Sequence, residues 1–99
     1  MSTIRLTEFK ARRDTVDTLK KFLTELIPHM KQLEGFEGGM LIEKSEDPVK
    51  FIMVEYWTSV EAHKASAKTI PPELIAQVLP MLGGIPSGSY YDIVQKAEL

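Results

Sequence analysis

Between Thr3 and Phe9 the chain alternates, with Ile4 and Leu6 on one side and Thr3, Arg5 and Thr7 on the other, which predicts a half-buried strand. After the charged "KARRD" the period becomes helical. Val16, Leu19, Leu23, Leu26, Met30 and Leu33 recur on one face, with Asp14 at the expected N-cap and Asp17 three residues on. Pro28 lacks a backbone donor and clashes with the Thr24 carbonyl, so a kink or break is expected there, with Gly35 closing the segment.

Two β-prone runs, "FEGGMLIEKSED" and "KFIMVEYWT", flank Glu46-Asp47-Pro48 and predict an antiparallel hairpin turning there. Gly38 and Gly39 mark a bulge or a close approach. Thr58 followed by Glu61 has the spacing of a capping box, so the second run is expected to pass directly into a short helix carrying Ala62, His63 and Ala65. Pro71-Pro72 opens another helix with Leu74, Ile75, Val78, Leu79 and Leu82 on one face, and Gly83-Gly84 ends it. A last strand is expected over "SYYDIVQ".

The order strand, helix, strand, strand, helix pair, strand is that of an α+β, ferredoxin-like βαββαβ domain with a four-stranded antiparallel sheet. Its third strand is apolar on both faces: Ile52, Val54 and Tyr56 point one way, Phe51, Met53 and Trp57 the other. One face belongs to the helices. The simplest cover for the second is another copy of the chain, sheet to sheet, as in a dimeric α+β barrel, so a homodimer is expected.

With 99 residues and no linker-like tract, residues 1–99 read as one domain. The formal net charge of −2 supplies no basic field, so nucleic acid is not an expected partner. The absence of cysteine excludes disulfides, thiolate nucleophiles and zinc–cysteine sites. "MSTIRLTEFK" has no apolar run of the kind a secretory leader needs, and no segment reaches the length of a membrane span, so the expected location is the cytoplasm. The phosphate-cradling GxxxxGK[ST], GxGxxG and the nucleophile elbow GxSxG are missing, which argues against nucleotide-dependent and acyl-transfer chemistry.

The residues Gly35, Phe36, Gly38, Gly39, Asp47, Pro48, Phe51, Val54, Glu55, Trp57, Ser59, Glu61, Ala62 and His63 reproduce a "GF.GG…DP..F..VE.W.S.EAH" pattern. In this the chain resembles the antibiotic biosynthesis monooxygenase family of dimeric α+β barrel proteins. The resemblance implies cofactor-independent oxidation of a small quinol- or anthrone-type aromatic by dioxygen, with no metal. Haem is the runner-up ligand: the haem-degrading relatives carry an asparagine on the first strand, and "TIRLTEF" has none. A non-catalytic dimer that binds a small ligand is the third reading.

Among the candidates, His63 is the general base, since an imidazole titrates near neutral pH. Glu55 is the lesser catalytic candidate and reads first as a structural ion pair with Arg5 on the neighbouring strand. Trp57 and Met53 read first as core packing; as site residues Trp57 offers a flat face for an aromatic ring, Tyr90 or Tyr91 a phenol to bond its oxygen, and Met53 an adaptable apolar lining. Because Tyr90 and Tyr91 point to opposite faces, only one of them can meet the helices. His29 reads as a surface residue, and two isolated histidines do not make a metal site.

Overall fold

The computed structural model describes residues 2–97. In chain order it holds β1 (Thr3–Lys10), α1 (Val16–Met30), β2 (Phe36–Lys44), β3 (Asp47–Trp57), α2 (Val60–Ala67), α3 (Pro72–Val78) with a 3-10 turn at Leu79–Met81, and β4 (Ser87–Asp92). All strand pairs are antiparallel and the sheet order is β2-β3-β1-β4, the ferredoxin-like arrangement that the element order predicts.

Residues directly opposite in an antiparallel pair share a face, so the register assigns each side of the sheet. Phe9 lies opposite Phe51, Thr7 opposite Met53, Arg5 opposite Glu55 and Thr3 opposite Trp57. This is the helix side, because Phe51 and Met53 form the buried core with Leu19 and Leu23 of α1, Ala11 and Leu82. Burial of those side chains supplies the main driving force for closing α1 onto the sheet. Ile4, Leu6, Ile52, Val54 and Tyr56 therefore line the other side. The apolar side of β1 looks away from the helices, and its polar side, Thr3, Arg5 and Thr7, looks toward them.

Several local expectations need correction. α1 runs through Pro28 to Met30 without a break, and it starts after Thr15 rather than Asp14. Thr15 Oγ1 accepts from the Arg12 N–H and donates to the Met81 carbonyl, ties that a solvent-exposed Asp14 does not make. The hairpin turns at Ser45-Glu46, with Glu46 in the left-handed region at φ 67°, and Asp47-Pro48 already begin β3. Ile75 and Leu79 are 49% and 58% exposed, so the expected apolar face of α3 is only partly buried, through Leu74 and Val78. β4 ends at Asp92 rather than at Gln95. The register of β2 against β3 shifts between Phe36 and Gly38, the bulge that the paired glycines foreshadow.

Candidate functional site

The end of β3 is pinned before α2 begins. The Thr58 N–H donates to the Gly35 carbonyl at 2.9 Å, closing the strand against the turn that follows α1. Gly35 has φ 88°, and a Cβ there would stand 2.7 Å from the Ala62 Cβ, so this contact requires glycine. The Thr58 N–H is committed to the strand, which denies Glu61 the reciprocal arm of a capping box at Thr58, and the N-cap is Ser59. It is extended at φ −163° and ψ 164°, and its hydroxyl accepts from the Ala62 N–H at 3.0 Å. The Thr58–Glu61 capping box is not formed.

α2 then turns His63 back over the helix side of the sheet. Its ring meets Trp57 and Tyr90 edge to face, 5.4 Å between centroids in each case. Its Nδ1 is 2.6 Å from the Tyr90 hydroxyl. Tyr90 lies opposite Arg5 in the β1–β4 register, and the Arg5 guanidinium carbon is 4.7 Å from the Tyr90 ring centroid, a cation–π contact. Trp57, 1% exposed, donates its indole N–H to Glu55 Oε1 at 2.9 Å and takes the edge of Phe36 at 5.3 Å. A continuous cluster of Trp57, His63, Tyr90 and Arg5 thus spans three strands and a helix, with Glu55 behind the indole.

The electrostatics assign different states to the two titratable groups. Burial raises the Glu55 carboxyl above its usual 4.5, opposed by the Trp57 hydrogen bond and then by the charge of Arg5. Burial, followed by the Arg5 charge, lowers the His63 imidazole below 6.5. At neutral pH His63 is uncharged, the form that accepts a proton. When Nδ1 accepts from the Tyr90 hydroxyl, the phenol oxygen can receive a proton only as its own proton passes to Nδ1. In the other tautomer Nδ1 donates to that oxygen and Nε2 carries the free lone pair. Either way the pair takes up one proton.

Of the residues expected at a site, the structure joins His63, Glu55, Trp57 and Tyr90, but Trp57, packed by Phe36 and His63, is core and leaves no open face for a ring to stack on. Met53 is 3% exposed inside the α1 core, where it presents no surface to a ligand, and Tyr91 lies opposite Ile4 on the far side of the sheet. Both stand outside the cluster. The Arg5–Glu55 ion pair is also absent: the residues face each other in register, but the ion pairs among the described residues are Lys20–Glu43 and Lys50–Asp47. His29 is exposed in the last turn of α1. Sequence reasoning missed Arg5 as a site residue; the signal was its place in the polar Thr3–Arg5–Thr7 row of β1.

Two open concavities of about 530 Å³ each lie toward the other end of the sheet. One is rimmed by Lys10, Arg12, Arg13 and Lys50, the other by Phe9, Lys44, Ile52 and Ile85, and neither touches the aromatic cluster. Among the described residues no three His, Asp or Glu side chains gather as metal ligands do, and no helix is long and apolar enough to cross a membrane.

This order of strands, with helices on one face and a His–Tyr pair beneath the first of the two short helices, defines a ferredoxin-like α+β domain with a polar and aromatic cluster on its helix side. Residues 3–71 match the family described as antibiotic biosynthesis monooxygenase, and the chain belongs to that family. Solved structures agree in fold. Rv0793 from Mycobacterium tuberculosis superposes with a TM-score of 0.83 at 18% identity, covering 99% of this chain and 100% of that one. SnoaB from Streptomyces nogalater, a cofactor-independent oxygenase solved as a variant, gives 0.81 at 9% identity over 96% and 95% of the two chains. A Nitrosomonas europaea protein provisionally assigned to the same monooxygenases gives 0.84 at 13% identity over 94% and 99%. No curated protein sequence matches the chain.

Proposed function

We propose that the protein is a homodimeric, cofactor-independent monooxygenase acting on a small, electron-rich quinol- or anthrone-type aromatic with dioxygen. The observation that carries this reading is the 2.6 Å contact between His63 Nδ1 and the Tyr90 hydroxyl, set beside the Trp57 ring. A substrate C–H or O–H proton passes to the His63–Tyr90 pair. The resulting carbanion or phenolate is itself the reductant: it gives one electron to dioxygen, and the two radicals combine to a peroxide. For an anthrone, loss of water from that peroxide turns the CH₂ into C=O, so one oxygen atom enters the product and the other leaves as water. The protein's share is to orient the ring, take the proton and exclude bulk solvent. SnoaB, with the same fold, is described as a cofactor-independent oxygenase, which supports the assignment.

Oxygen uptake with a reduced naphthoquinone and an anthrone, in metal-free buffer, tests the reaction. The reading predicts consumption well above the spontaneous rate; a panel of such substrates with no excess uptake sinks it.

The uncovered side of the sheet supports the dimer. Met40 and Ile42 of β2 and Tyr91 of β4 are 47%, 42% and 45% exposed there, in one field with Ile4, Leu6, Ile52 and Tyr56. An apolar field of that extent favours a second copy over water. Met40→Lys with Ile42→Lys should therefore convert a species of twice the chain mass into one of the single chain mass in sedimentation at micromolar concentration. A monomeric wild type contradicts the dimer.

A further inference from the structure

Arg5 is a charged group of the cluster that shares no hydrogen bond or ion pair with any other group in it. Its Nε is shut away from solvent and bonds to nothing, and its guanidinium makes no hydrogen bond or ion pair among the described residues. The acid best placed to neutralise it is Glu55, directly opposite on β3, yet that carboxyl holds the Trp57 indole instead. A partly buried cation without an acceptor is costly, because its lost hydration is not replaced. The surroundings nevertheless keep it in place. Gly88, two residues before Tyr90, leaves the space beside the guanidinium that any Cβ would occupy, and the Tyr90 ring lies 4.7 Å beneath. Tyr90 in turn bonds His63.

We propose that Arg5 is the anion-recognising residue of this site, donating its terminal guanidinium N–H groups to a negatively charged oxygen on an aromatic ligand, a phenolate, enolate or aryl carboxylate, lying against Tyr90 and His63. The inference rests on the proposed oxidation only in taking the same cluster as the ligand site. Within that substrate class it assigns the substrate oxygen that carries negative charge, before or after deprotonation, to Arg5. Arg5 thereby favours the anion left when the His63–Tyr90 pair removes a proton, and a charge-assisted, forked hydrogen bond selects oxyanions over neutral oxygens.

Calorimetric binding with redox-inert ligands separates this claim from turnover. Wild type should bind 2-naphthoate at least about tenfold more tightly than its neutral counterpart 2-naphthamide. Arg5→Gln should erase that preference while still binding the amide, and Arg5→Lys should keep part of it. Gly88→Ala, which leaves the charge but fills the space beside it, should reproduce the loss if Arg5→Gln fails to fold. Binding of 2-naphthol that tightens with pH as the ligand itself ionises identifies a phenolate site, and tightening restricted to the naphthoate identifies a carboxylate site. Equal affinity for naphthoate and naphthamide in wild type, or a preference that survives both Arg5→Gln and Gly88→Ala, overturns the assignment. Oxygen uptake can fail while the naphthoate preference stands, and the preference can fail while uptake stands, so the two proposals fall separately.

Discussion

Replacing His63 with glutamine should lower the catalysed rate of oxygen consumption by about 10²–10⁴-fold, the range that a positioned general base contributes. Glutamine keeps a polar side chain of similar reach opposite the Tyr90 hydroxyl but cannot take up a proton near neutral pH. His63 is only partly buried, so the melting temperature should change little and the loss can be ascribed to chemistry. The pH profile supplies a second signature. Because burial and then the Arg5 charge hold the imidazole below 6.5, the rate should fall on an acid limb whose midpoint lies below that value. Arg5→Gln removes the second of those causes and should move the limb toward higher pH; His63→Gln should abolish it. A His63→Gln variant that keeps the full rate and the same acid limb would remove the imidazole from the proposed mechanism.

The same shifts govern stability, with opposite signs. A lowered folded value for His63 means that the unfolded chain takes the proton first, so stability falls as the solution is acidified from about 6.5 toward the folded value. Glu55 has a raised folded value. Its contribution is fully present below 4.5 and is lost as pH rises through that raised value. Acidification therefore weakens the fold through one group while strengthening it through the other.

Trp57→Ala should cost about 3–5 kcal/mol in chemical denaturation, the range for deleting a large aromatic from a core. Trp57 is 1% exposed, and its removal also takes the N–H from a Glu55 carboxyl that is itself 8% exposed. An orphaned buried acceptor adds about 1–3 kcal/mol. Trp57→Phe separates the two effects: it restores most of the packing, keeps an aromatic edge for His63, and still strands Glu55. Its cost should fall well below that of the alanine variant, and the Glu55 carboxyl should rise further once the hydrogen bond that lowers it is gone. Equal costs for the two variants would assign Trp57 an anchoring rather than a packing role. A cost under about 1 kcal/mol for Trp57→Ala would contradict its burial.

The element order, the hairpin and the two-faced β3 were legible because each rests on a local period of apolar residues. Glu55, Trp57 and His63 were legible for a related reason: they fall on one continuous stretch of strand, cap and helix. Arg5 and Tyr90 join them only through the β3-β1-β4 neighbour order, a long-range fact no local period carries. The role of Arg5 was hidden further by the expected pairing with Glu55, since nothing in the alternation of β3 indicates that the carboxyl turns along its own strand to the indole. Caps failed for the same cause. Thr58 and Ser59 are chemically alike as N-caps, and the reciprocal arm of a box at Thr58 is blocked by the Gly35 carbonyl, which takes the Thr58 N–H from another part of the chain.

The central claim is that the ligand binds against His63, Tyr90 and Arg5, over the buried Trp57 indole. Trp57 is the only tryptophan, so its indole N–H gives a single, unambiguous signal in a nitrogen-15 correlation spectrum. On titration with 2-naphthoate that signal should move progressively, together with the backbone amides of Arg5, His63 and Tyr90, while Lys10, Arg13 and Lys50 at the other end of the sheet stay still. A titration that leaves the indole signal in place and shifts only the Lys10–Lys50 end would contradict the site.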